Sequence, residues 1–134
     1  MSPDLTDLIG TPYIQNGRDP QVGLDCWGVC LEAMRRFGHK LPDFDQAIYS
    51  ALEVRDKFYQ AVSRSEWVKL AEPEPGCVVA MASDPDLPGA ITHVGVCIGR
   101  GRAIHTLTKH NCSIIRLDDN FWARKIKGYY QWVP

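Results

Sequence analysis

The chain has no long apolar run. Its longest stretch of that kind, Cys77 to Ala82, falls far short of the roughly 20 residues a helix needs to cross a bilayer, so no membrane span is expected. It also has no block of Lys and Arg: 15 basic against 16 acidic residues leave a net charge of −1. Such a chain cannot neutralise a row of phosphates, which argues against nucleic acid as partner. The segment Met1 to Asp7 carries two acids, no Lys or Arg and no apolar core. It does not read as a secretory signal, so synthesis in the cytoplasm without a signal peptide is expected. The five cysteines at 26, 30, 77, 97 and 112 are odd in number and contain no C-x-x-C, which favours reduced thiols over a disulfide framework. Cys26 and Cys30 lie one helical turn apart, but with no C-x-x-C or H-E-x-x-H beside them no metal site is expected. Nor is there an internal repeat or low-complexity stretch, which removes solenoids.

What is present fits one compact domain over residues 1–134, with 45% apolar and 23% charged content sufficient for a core. Ser2 as N-cap, Pro3 at the first helical position and Gly10 beyond the end predict a short opening helix. The turn-rich segment Thr11 to Gly23 follows, expected as an ordered loop against the site. From Asp25 the spacing of Cys26, Val29, Cys30, Ala33 and Phe37 is helical, widened by Trp27, Leu31 and Met34, with Gly28, Glu32, Arg35 and Arg36 as a polar strip. This helix should be largely buried and end at Gly38. Asp45 to about Arg64 suggests a second helix, and Ala71 to Gly76, with two prolines and a glycine, a break. Beyond it the period becomes that of strands: Cys77 to Ala82, Thr92 to Ile98, Ala103 to Leu107, Ser113 to Leu117 and Tyr129 to Val133. Helices first and strands after predict an α+β fold with a mostly antiparallel sheet.

Three residues carry the candidate chemistry. With Asp25 as N-cap, Cys26 falls in the first helical turn, where unpaired N–H groups and the positive dipole end favour a thiolate and suit an oxyanion. Alone, a cysteine on an apolar helix stripe is better read as core. Its company matters: His93 stands among β-formers in Thr92 to Ile98, and His105 follows in Ala103 to Leu107 after the turn Gly99-Arg100-Gly101-Arg102. A regular two-residue loop at Arg100-Gly101 would put the histidines on opposite faces. A shared face needs an odd-length loop or a bulge, and Gly99 and Gly101 permit either. On a shared face one imidazole takes the thiol proton and the other fixes its tautomer, with His93 as base and His105 as orienter.

In order along the chain stand Gly10-Thr11-Pro12-Tyr13-Ile14-Gln15-Asn16-Gly17, Leu24-Asp25-Cys26-Trp27-Gly28, Pro75-Gly76-Cys77-Val78-Val79, His93-Val94-Gly95-Val96-Cys97-Ile98-Gly99 and Ile104-His105. This series resembles the NlpC family of bacterial cell-wall cysteine peptidases, especially its phage-tail-associated branch, over roughly Gly10 to Leu107. The resemblance implies a papain-like α+β fold, a Cys26-His93-His105 triad and cleavage of peptidoglycan stem peptides, typically after γ-D-glutamate, with no cofactor. It implies that Tyr13 lines the substrate pocket, and it places Asp25 and Trp27 among the substrate-binding residues. Other tail-tip proteins become candidate partners and a virion tail a candidate location. Trp27 stands where many members have a serine, Cys77 where an acidic residue is usual, and Asn16-Gly17 where two glycines are usual. The stretch Lys40 to Lys69 has no counterpart in the resemblance and reads as an elaboration that covers the cleft or docks a partner.

Two other readings stay open: a tail component that keeps the fold for assembly alone, and a Cys-His acyltransferase or deamidase. Among the remaining residues, His110 reads as solvated loop and His39 as complementing the helix dipole. Cys30, Cys97 and Cys112 read as small buried hydrophobes. Trp67, Trp122, Trp132, Tyr129 and Tyr130 read as core or rim rather than glycan-stacking residues.

Overall fold

The computed structural model describes residues 3–43, 60 and 66–133. The expected helix over Asp45 to Arg64 lies outside the described residues, apart from Gln60. The helix α1 spans Cys26–Arg36. Asp25 is its N-cap in extended backbone, and its Oδ1 accepts the N–H of Gly28 at 2.8 Å, an interaction typically worth about 1 kcal/mol. At the other end Gly38 takes a left-handed φ of 96°. The N–H of His39 donates to Met34 O and that of Gly38 to Arg35 O, both at 2.9 Å, the paired bonds of a Schellman stop. Seven of the helix's residues are buried, Trp27 and Met34 among them. Gly28 belongs to this buried set rather than to the expected polar strip, which is left to Glu32, Arg35 and Arg36.

The opening helix is shorter than expected, a single 3-10 turn over Thr6–Leu8 with no side-chain cap. Pro3 does not start it, because the Asp4 carboxylate captures the Thr6 N–H at 3.0 Å and its hydroxyl at 2.6 Å, delaying the turn by local side-chain competition. Two short strands, β1 (Arg18–Asp19) and β2 (Gly23–Leu24), form a small antiparallel pair within the expected loop.

After the Pro-rich break comes the main sheet. Its strands are β3 (Trp67–Leu70), β4 (Val78–Met81), β5 (His93–Gly99), β6 (Arg102–His105), β7 (Ser113–Arg116) and β8 (Ile126–Trp132), in the order β3-β8-β4-β5-β6-β7. Every pairing between them is antiparallel, so the α+β expectation holds. The strand β3 was not foreseen: its four residues carry too little alternation to announce a strand, and pairing to β8 from Trp67↔Trp132 to Leu70↔Tyr129 forms it. Between β7 and β8 lies a four-residue helix, α2 (Asn120–Ala123).

Strand periodicity sorts the core into two layers. Val78, Ala80, Val94, Val96 and Ile104 pack with Leu24, Val29, Cys30 and Met34 under α1. Cys77, Val79, Met81, Cys97, Ala103 and Ile115 form a second cluster with Trp122 and Tyr129 on the other face. Trp67 and Trp132 meet edge to face at 4.9 Å between centroids, each 7% exposed, which makes them core. No helix among the described residues is long and apolar enough to cross a membrane.

Candidate active site

Cys26 is the first residue of α1 and 8% exposed. The end of the helix that carries it is fixed from several directions through Asp25, a fully buried residue. One carboxylate oxygen serves the Gly28 N–H and the Arg18 guanidinium at 2.7 Å, and the other accepts the Asn16 N–H at 2.9 Å. Arg18 in turn donates to Gly17 O at 2.8 Å and from Nε to both oxygens of Asp43 at 3.0 Å. A buried carboxylate is tolerable when its charge is matched and its lone pairs are filled, and here both conditions are met. Glycine is required at position 28, because a Cβ there would run into the carbonyl oxygen of Gly17. The loop before β1 therefore lies directly over the helix start.

The histidines are brought together by an irregularity in one hairpin. The β5–β6 register runs Val96↔Ile104 and Cys97↔Ala103, then shifts to Gly99↔Arg102. The extra residue on β5, with left-handed backbone at Gly99, Arg100 and Gly101, is a bulge that puts His105 opposite Gly95 and hence on the same face as His93. His93 Nε2 and His105 Nδ1 are 2.8 Å apart, and the rings meet at 67°. Gly95 makes space for this approach, since a Cβ there would sit 3.0 Å from Ile104 O and 3.3 Å from His105 Cβ.

Both rings are buried, at 2% and 3% exposure. Burial, and then the neighbouring charge of His105, pulls the His93 pKa down to about 3. Burial, and then His110, pulls that of His105 down to about 4. Loss of hydration disfavours the imidazolium, so both rings are neutral near pH 7; one donates its N–H into the other's lone pair, and the donor ring keeps a free lone pair on its second nitrogen.

Tyr13 links the two halves. It forms an isolated parallel bridge with Leu24, just before the helix, while its phenol hydrogen-bonds the side chain of Thr108, three residues beyond His105. Burial raises its pKa, and Cys26 and Asp25 add to the rise. One half-buried side chain therefore senses the start of α1 and touches the loop that follows β6.

A family model matches residues 10–131 and is described as the NlpC/P60 family. This chain belongs to the NlpC/P60 family. No curated protein matches it. Among solved structures, an NlpC/P60 family protein from Bacillus cereus aligns over 100% of this chain and 42% of its own, at 23% identity and a TM-score of 0.64. NlpC2 from Trichomonas vaginalis aligns over 95% of this chain and 43% of its own, at 18% identity and 0.67. The NlpC/p60 domain of the peptidoglycan hydrolase SagA aligns over 92% and 89%, at 20% identity and 0.60. At these identities the likeness establishes the papain-like fold, and this chain spans under half the length of the first two proteins.

Within this NlpC/P60 chain the residues expected to meet substrate separate by burial. Tyr13 is half-exposed, whereas Asp25 is fully buried and Trp27 is 2% exposed, its indole N–H donating to Pro42 O at 3.1 Å. Asp25 and Trp27 are thus built into the start of α1, while Tyr13 is the one of the three with the most open surface. Sequence reasoning missed Arg18 and Thr108, whose partners come from other loops; the alternating charges at Arg18-Asp19 were the only local sign. Cys77 is buried opposite Cys97, whose N–H donates to its carbonyl at 2.8 Å. The two thiols hydrogen-bond, which lowers the pKa of Cys77 and raises that of Cys97.

Proposed function

We propose that this protein is a cysteine endopeptidase that cleaves peptidoglycan stem peptides, with Cys26 as nucleophile, His93 as general base and His105 as its orienter. The observation that carries the reading is the buried, neutral His93–His105 pair at 2.8 Å, on the strand against which the helix of Cys26 packs. With His93 Nε2–H donating to His105 Nδ1, the lone pair on His93 Nδ1 is the proton acceptor. In the proposed cycle His93 takes the Cys26 proton as sulfur attacks the peptide carbonyl. Backbone N–H groups at the start of α1 stabilise the oxyanion. His93 then gives the proton to the departing amine, and water attacks the thioester with the same ring as base.

Membership of the NlpC/P60 family and the likeness to the NlpC/p60 domain of the peptidoglycan hydrolase SagA support the substrate class. Cleavage after γ-D-glutamate and a place in a phage or prophage tail tip belong to the proposal through the sequence resemblance alone. The test is to incubate wild-type protein and Cys26→Ala with bacterial sacculi and defined stem peptides and to identify products by mass spectrometry. New peptide fragments from the wild type alone are expected. An active Cys26→Ala, or a modified acceptor in place of hydrolysis, would overturn the assignment.

A further inference from the structure

Beyond the histidine pair, on the same face of the sheet, lies a cavity of about 330 Å³ that nothing above uses. Its floor is His105 and Ser113, which are directly paired across β6 and β7, with Ile115 beyond. Phe121 and Trp122 of α2 form one wall, and His110 and Asn111 of the loop between β6 and β7 form the rim. The Trp122 ring stands edge-on to His105 at 4.6 Å and to Phe121 at 4.9 Å, so the aromatic wall is continuous with the histidine pair.

We propose that this cavity is a saccharide subsite, which takes a pyranose ring of the glycan strand that bears the peptide to be cut. The assignment rests on the peptidase reading above for the identity of the substrate, and on three observations for the chemistry. First, the volume is at the small end for ligand pockets, suited to one or two rings rather than an extended peptide. Second, the lining combines exposed aromatic surface with neutral polar groups. Phe121 is 61% exposed, so that even with Lys125 Nζ over its ring at 4.6 Å from the centroid it presents aromatic surface beside that of Trp122. The side chains of Asn111 and Ser113 hydrogen-bond to nothing among the described residues. Aromatic faces pack against the C–H face of a sugar while amide and hydroxyl groups bond its hydroxyls. Third, none of the described residues that line the cavity is Lys, Arg, Asp or Glu, and Lys125 beside it is engaged over the Phe121 ring, which disfavours a phosphate or carboxylate occupant and suits a polyhydroxylated neutral one. Its position completes the case: His105 belongs to both cavity and histidine pair, so a sugar held there keeps its attached peptide within reach of the chemistry.

The experiment compares hydrolysis of one stem peptide, bare and carrying its N-acetylglucosaminyl-N-acetylmuramoyl disaccharide, by wild type, Phe121→Ala and Asn111→Ala. The wild type is expected to favour the disaccharide-bearing substrate about tenfold in kcat/KM, mainly through KM. Each variant is expected to bring that ratio toward unity. Calorimetry of the free disaccharide with the Cys26→Ala protein is run in parallel and is expected to show saturable binding that Phe121→Ala abolishes. Equal cleavage of both substrates by the wild type, or a ratio unmoved in both variants, would overturn the subsite while leaving the peptidase reading intact. Disaccharide binding without cleavage of either substrate would instead sink the peptidase reading and retain the subsite.

Discussion

At the start of α1, Cys26 is held by contacts from its own neighbourhood: Gly28, Arg18 and Asn16 all reach the Asp25 carboxylate from within nine residues. Across the site, His93 and His105 are twelve residues apart and meet only because a bulge in their hairpin sets the register. The first arrangement is a dense set of charge-assisted hydrogen bonds that tolerates no loss of a member. The second is a parity condition on two strands, in which the side chains themselves add little stability because both imidazoles give up hydration to be there. The proposed nucleophile is thus anchored by local electrostatics while its proposed base is positioned by topology, and the two should fail differently.

The largest difference is expected from removing the proposed base. His93→Ala should lower kcat/KM on a stem peptide by about 10³-fold or more, roughly 4 kcal/mol of transition-state stabilisation, while thermal unfolding shows the fold intact. A variant that keeps more than a tenth of the activity would remove His93 from the mechanism. Asp25→Ala should show the opposite balance. It deletes the cap, removes one of the two carboxylates that Arg18 engages and frees the Asn16 and Gly28 N–H groups, so urea denaturation should reveal a loss of about 2 kcal/mol in stability.

His105→Ala should cost less activity than His93→Ala, about 10²-fold, with partial recovery in His105→Asn, whose side chain restores a hydrogen-bond partner for the base. Equal losses in all three would make His105 more than an orienter. Near neutrality the smallest effect concerns acid. Unfolded histidines take up protons near 6.5, whereas the folded rings resist until about 4 and 3. Between those values the unfolded chain binds more protons. The stabilising difference is therefore complete above pH 6.5 and declines as pH falls through the folded values, by on the order of 1 kcal/mol at pH 6. Urea midpoints measured from pH 7.5 to 5 should fall accordingly in the wild type, and less steeply in His93→Ala.

The same contrast explains what could be read from the chain. The start and stop of α1 are local: an acid before Cys26 and a glycine at position 38 specify both ends, and the structure has both. The shared face of the histidines was legible only as a condition, because the residues Gly99 to Arg102 permit two loop geometries and the choice is made by pairing with β6. The strand β3 and the Arg18–Asp43 contact were not legible, since each is created by a partner distant in sequence. Trp27 reads both as part of the buried helix surface and as a substrate-binding residue. A tryptophan beside a candidate nucleophile fits a cleft as well as a core, and only the carbonyl of Pro42 that receives its N–H decides.

The bulge between Cys97 and Gly99 also limits how this hairpin can vary over time. Gaining or losing one residue there would leave β5 and β6 free to pair but would turn His105 to the opposite side from His93, trading places with Ile104. Descendants of this chain can therefore change the turn in steps of two, and a lineage with a single-residue indel at positions 98–101 should be one that has abandoned the histidine pair.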